Sequence, residues 1–167
     1  MMSNIRNNDT VDLFEDVTVC SLYAQVMFGA QALEYTLTNL NLICHIAKVG
    51  RTFVPNEIDD LLENIYTKTF GCLLPSLEGI VEIPTRLVDE LRKAKEARNY
   101  LCHRFFRENT SDLFATKDRK TIIKELLDLY DLFRELNDQV NAVTTNVALK
   151  YNVASEISAE ELSRISI

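Results

Sequence analysis

The chain has 167 residues, 47% hydrophobic and 26% charged, with a net charge of −7. That length and balance suit one globular domain able to bury roughly two thirds of its unfolded surface. Four Gly and three Pro are too few for a disordered or fibrous chain, and few for an all-β fold with a turn about every ten residues.

The first helix is predicted from about Val11 to Lys48. Leu22, Val26, Ala30, Leu33, Leu37, Leu40, Cys44 and Ala47 recur at alternating steps of three and four, which draws one apolar stripe down it, and Gly50 is the expected stop. A second helix opens at Pro55-Asn56-Glu57, carries Ile58, Leu62 and Ile65, and is expected to end near Gly71. The segment from about Cys72 to Pro84 holds Pro75, Gly79 and Pro84 and reads as a connection; its Leu73, Leu74, Leu77, Ile80 and Val81 predict that it packs on the bundle. A third helix is expected over about Thr85–Glu108 and a fourth over about Thr116–Tyr151. In the fourth, Ile122, Leu126, Leu129, Phe133, Leu136, Val140, Val143 and Val147 form a seam of period seven. A helix of about 50 Å needs a partner of similar length, and either the first helix or a second copy of the chain can serve. Ser158 and Glu161 have the spacing of a capping box for a short tail helix. The expected fold is therefore all-α, an antiparallel bundle of four long helices plus a short C-terminal helix, with residues 1–167 as a single domain.

No run of apolar residues approaches the ~20 that a membrane span requires. The opening MMSNIRNNDTVD is polar and lacks an apolar h-region, so the expected location is cytoplasmic, with no membrane partner, and the Asn-x-Ser/Thr triplets at Asn8 and Asn109 are set aside. Cys20, Cys44, Cys72 and Cys102 show no Cys-x-x-Cys pairing and are expected to be small buried hydrophobes in a reducing compartment. No metal and no other cofactor is assigned: there are only two histidines, His45 and His103, and no glycine-rich phosphate loop or G-x-S-x-G. His45 is read as structural. Cys102 and His103 are not a nucleophile–base pair, because neighbours on a helix point about 100° apart.

The third helix departs from the pattern of the others. Its stripe of Leu87, Leu91, Ala94, Leu101 and Phe105 is interrupted by Arg98, and an arginine in a core seam must be paired or line a wet groove. Asn99 and His103 share a face one turn apart, and His103 lies about 140° around from Arg98 with a rise of about 7.5 Å. One reading pairs Arg98 with a core carboxylate and leaves His103 structural; the other places both beside one groove. Between Arg86 and Arg107 there are seven Lys/Arg against three Asp/Glu, a net +4 that leaves −11 on the rest of the chain. Such a strip is either a solvated charged face or a local site for a phosphate backbone.

The run Glu96-Ala97-Arg98-Asn99-Tyr100-Leu101-Cys102-His103-Arg104-Phe105-Phe106 resembles the R-x4–6-H motif of the HEPN family, helical-bundle nucleotide-binding proteins of eukaryotes and prokaryotes. It has Arg98, a following Asn99, and His103 after four intervening residues, on the third of four long helices. The resemblance implies a HEPN-like helical domain acting as a metal-independent endoribonuclease, a homodimer whose two motifs face each other across one cleft. It implies Arg98, His103 and Asn99 as catalytic residues; Arg92, Lys95, Arg104 and Arg107 of the positive strip are the cations expected to contact RNA. It further implies a toxin–antitoxin or anti-phage role, with an antitoxin or other regulatory protein as a partner. In the toxin branch silenced by nucleotidylation, a Tyr often stands two residues after the His; here that position is Phe105. The alternative is a non-catalytic helical bundle that serves as a binding or dimerisation module.

Overall fold

The computed structural model describes residues 5–49, 55–77, 83–113 and 119–153, and every element among them is helical. There are six described helices: α1 (Ile5–Val49), α2 (Pro55–Tyr66), α3 (Phe70–Leu77), α4 (Thr85–His103), α5 (Phe105–Leu113) and α6 (Arg119–Lys150). The all-α class expected from the sequence is therefore what the chain adopts. The tail helix expected after Ser158 and the stop expected at Gly50 lie outside the described residues.

α1 is the central element. Every residue from Thr36 to Cys44 is buried, so this stretch is enclosed on all sides and its apolar character is not confined to one stripe. Three polar side chains in this stretch bond to carbonyls of their own helix. The Thr36 hydroxyl donates to Ala32 O at 3.0 Å, the Thr38 hydroxyl to Glu34 O at 3.0 Å and the Asn41 amide to Leu37 O at 2.9 Å. Satisfying these groups on the helix's own carbonyls avoids the penalty of about 1–3 kcal/mol for a buried unbonded polar atom.

The partner of the long α6 is α1. Ile122, Leu126, Phe133, Leu136, Val140 and Val147 of the period-seven seam are buried, with Leu129 and Val143 half-buried against the same core. Thr36 bonds Asn137 at 2.6 Å, and Gly29 leaves only 3.4 Å between an added Cβ and Phe133 Cβ. Position numbers rise together along the two helices, so α1 and α6 run parallel. α4 is antiparallel to α1, with Arg98 opposite Glu34 and Leu101 opposite Tyr23. The antiparallel arrangement expected for the bundle thus holds for α4 against α1, while the two longest helices lie side by side in the same direction.

Two segments differ from expectation. The second helix ends at Tyr66, short of the stop expected near Gly71, and Phe70–Leu77, most of which falls in the segment expected to be a connection from about Cys72, forms the short α3. Phe70, Leu73, Leu74 and Leu77 of α3 are buried in the common core, and that burial outweighs the unfavourable Pro75, which sits exposed near the helix end. The expected third helix breaks at Arg104 (φ −127°, ψ −29°) into α4 and α5. There the Tyr23 hydroxyl donates to Leu101 O at 3.1 Å, taking up a carbonyl of the last turn of α4. Phe105, fully buried, stacks on Tyr23 at 5.2 Å. Only Cys44 of the four cysteines is buried; Cys20, Cys72 and Cys102 are exposed, so the expectation of four buried thiols is corrected. They fall on outward-facing helix positions, which spacing along the chain did not reveal.

Candidate functional site

The residues singled out in the sequence lie along α4 and the start of α5. Arg98 is 31% exposed at its side chain and places a guanidinium nitrogen 3.6 Å from the Glu34 carboxylate of α1. The other Glu34 oxygen accepts the backbone N–H of Phe70 at 2.7 Å, capping the start of α3. One carboxylate thus ties α1, α3 and α4 together at the position where the arginine interrupts the apolar stripe. Asn99 is half-buried, and His103, the last residue of α4, is exposed.

The structure does not bring Arg98 and His103 together within one chain. α4 is continuous from Thr85 to His103, so the two keep the helical offset of about 140° and about 7.5 Å. Arg98 turns inward toward Glu34 while His103 stands on the surface. What does share a face is Arg92, Glu96, Asn99 and His103, which fall within about 60° of one another around α4.

The four expected RNA-contacting cations are each within reach of a carboxylate. Arg92 is 2.8 Å from Asp89, Lys95 is 3.5 Å from Glu96, and Arg104 and Arg107 are 3.8 and 4.0 Å from Glu108. These pairs are exposed, and such pairs contribute about 0–1 kcal/mol each, so a phosphate can replace the carboxylate at little cost. Arg104 also lies over the Tyr100 ring at 5.5 Å, and the Asn109 amide donates to the Tyr100 hydroxyl at 2.9 Å. Burial raises the pKa of Tyr100 above its ordinary value, as it does for Tyr23. Both phenols are therefore neutral hydrogen-bonding groups at physiological pH.

Two residues that the sequence reading passed over belong to this region. Glu34 is the only charged residue between Asp16 and Lys48, and a lone acid in an apolar helix is a signal that it meets a cation. Lys93 lines a groove of about 500 Å³ between α3 and α4, together with Leu74, Pro75, Arg92 and Lys95. His45, read as structural, is exposed and borders a second hollow of about 370 Å³ between α1, α2 and α3. Among the described residues no three His, Cys, Asp or Glu side chains gather in a set fit to hold a metal ion, and no described helix is long and apolar enough to cross a membrane.

In comparisons with known proteins, no family model, no curated protein and no solved structure matches the chain.

Proposed function

We propose that the chain is a HEPN-type, metal-independent endoribonuclease acting on cytoplasmic RNA as a homodimer, with Arg98 and His103 of two copies forming one composite site. The observation that carries the reading is the exposure of His103 at the end of α4, directly before the break at Arg104. Arg104 and Arg107 are exposed beside it, and the part-exposed Arg98 is held by Glu34.

The chemistry follows from these groups. RNA supplies its own nucleophile, so one His103 removes the proton from the 2′-hydroxyl, whose oxygen then attacks the adjacent phosphorus. The second His103 protonates the departing 5′-oxygen. Arg98 stays charged throughout; a guanidinium carries five N–H donors, so one nitrogen near Glu34 leaves others to neutralise the phosphorane oxygens. Asn99, a turn before His103, orients the imidazole or bonds the phosphate. The products are a 2′,3′-cyclic phosphate and a 5′-hydroxyl. One chain offers a single histidine at this site, and a second copy supplies the second proton carrier. The biological role in keeping with such an enzyme is that of a toxin–antitoxin or anti-phage component restrained by a partner protein. Restraint by nucleotidylation two residues after the histidine is not available, since Phe105 has no hydroxyl and is fully buried.

The Arg98–Glu34 pair favours a second reading, a non-catalytic bundle that binds a partner or dimerises, with Arg98 as a structural tie. In that case the period-seven seam is not the dimer surface, because α1 already covers it. The test is cleavage of a mixed RNA by purified protein in EDTA, with Arg98→Ala and His103→Ala alongside. Cleavage that leaves cyclic phosphate ends and is lost in both variants supports the ribonuclease. No cleavage by the unaltered protein, or equal cleavage in all three, leaves the binding module.

A further inference from the structure

We infer that the groove between α3 and α4 is a subsite for the phosphate backbone of single-stranded RNA, a deepening that rests on the ribonuclease reading. The groove encloses about 500 Å³, within the range of sites that hold nucleotide-sized ligands. One wall is apolar, made by Leu74 and Pro75 of α3, and the other presents Arg92, Lys93 and Lys95 of α4. Gly71 opens the floor: a Cβ there would meet Lys95 Cε at 3.4 Å, so the missing side chain lets the lysine stem lie across the first turn of α3. Glu96 is the one carboxylate among the described residues of the lining, and Lys95 stands 3.5 Å from it. Lys93 has no ion pair among the described residues, which leaves its ammonium for a ligand.

The described residues of the lining therefore carry a net charge of +2 in a chain of −7. A chain with that overall charge repels polyanions in general and admits one only where the local field is positive. The phosphates fit the cationic wall and the sugar or base fits the apolar one. The groove is also in register with the histidine. Arg92 and His103 lie on one face of α4, eleven residues apart, which is about 16 Å at the helical rise. A strand cleaved at His103 and laid along α4 reaches the groove a few nucleotides from the reacting phosphate.

The probe is a fluorescent, single-stranded 2′-O-methyl octanucleotide, which lacks the nucleophilic hydroxyl and stays intact. Its affinity is measured by anisotropy in EDTA over a range of salt, with folding of each variant checked by thermal melting. A Lys93→Ala/Lys95→Ala double variant is expected to bind about tenfold more weakly at low salt, with the salt slope shallower by about 0.7 for each lost phosphate contact. Pro75→Glu, which puts a carboxylate on the apolar wall, is expected to weaken binding while Lys150→Ala, far along α6, leaves it unchanged. Unaltered affinity and slope in the double variant overturn the inference, as does displacement of the probe by ATP or inorganic phosphate at concentrations below those of competing RNA. Binding through the groove by a protein that cuts no RNA removes only the ribonuclease reading; cleavage with no effect of the groove variants removes only the subsite.

Discussion

Glu34 holds Arg98 with one carboxylate oxygen, at 3.6 Å, and the backbone N–H of Phe70 with the other, at 2.7 Å. The arginine that breaks the apolar stripe of α4 is thereby fixed to the central helix, and the start of α3 is fixed by the same group. Glu34→Ala removes the ion pair and the cap together and is expected to lower the free energy of unfolding by about 1–2 kcal/mol in urea titrations. Glu34→Gln keeps an acceptor for Phe70 and is expected to cost less. Equal stability of all three proteins would show that the tie carries no weight.

The α1–α6 contact predicts a sharp contrast between two positions on one helix. Phe133 is fully buried against α1 near Gly29, while Leu127 is 45% exposed. Phe133→Ala is expected to destabilise by about 3–5 kcal/mol and Leu127→Ala by about 0.5 kcal/mol or less, read as shifts in the urea midpoint at constant slope.

At the α4–α5 break, the Tyr23 hydroxyl and ring have separable roles. Tyr23→Phe keeps the stacking on Phe105 and the contact with Phe106 at 4.7 Å but loses the bond to Leu101 O. The expected cost is about 1 kcal/mol. Tyr23→Ala loses the ring packing as well and should cost several times more; identical losses would place all of the effect in the hydroxyl.

The thiols give a prediction about reactivity and one about alkaline stability. A thiol reagent is expected to label Cys20, Cys72 and Cys102 in the native protein and Cys44 only on unfolding. Burial pushes the Cys44 thiol up to about 12. Above the ordinary thiol range, at about pH 8.5–9, the unfolded chain loses this proton while the folded chain keeps it. Stability from Cys44 is then lost as pH rises through that window toward 12, at up to about 1.4 kcal/mol per pH unit. Cys44→Ala should flatten this part of a pH–stability profile; an unchanged slope would assign the loss to other groups.

The regular parts of the fold were legible because periodicity records burial directly. Leu33, Leu37 and Leu40 of α1 and Ile122, Leu126 and Phe133 of α6 are core residues at the positions their spacing predicts. α3 was not, because Gly71 and Pro75 read as breakers whereas four buried apolar side chains decide the outcome. The break at Arg104 has no Gly or Pro to announce it; it depends on Tyr23, which lies 78 residues from Leu101 in sequence. At the candidate site, the need of Arg98 for a carboxylate or a wet groove was readable from its place in the stripe, but its partner on α1 was not paired to it by any local pattern. The inward turn of Arg98 and the outward turn of His103 follow from which face of α4 meets α1.

The pairing of α1 with α6 also sets a timetable for the newborn chain. Thr36 and Asn137 are 101 residues apart, so at about 5–20 residues per second the ribosome needs roughly 5–20 s to deliver the partner after α1 has emerged. During that interval the face of α1 that meets α6 has no lasting cover, and loop closure over such a separation makes the final docking slow relative to the formation of the helices themselves. The fold is complete only once α6 has emerged, and a truncation within α6 leaves the face of α1 around Thr36 open to whatever else is nearby.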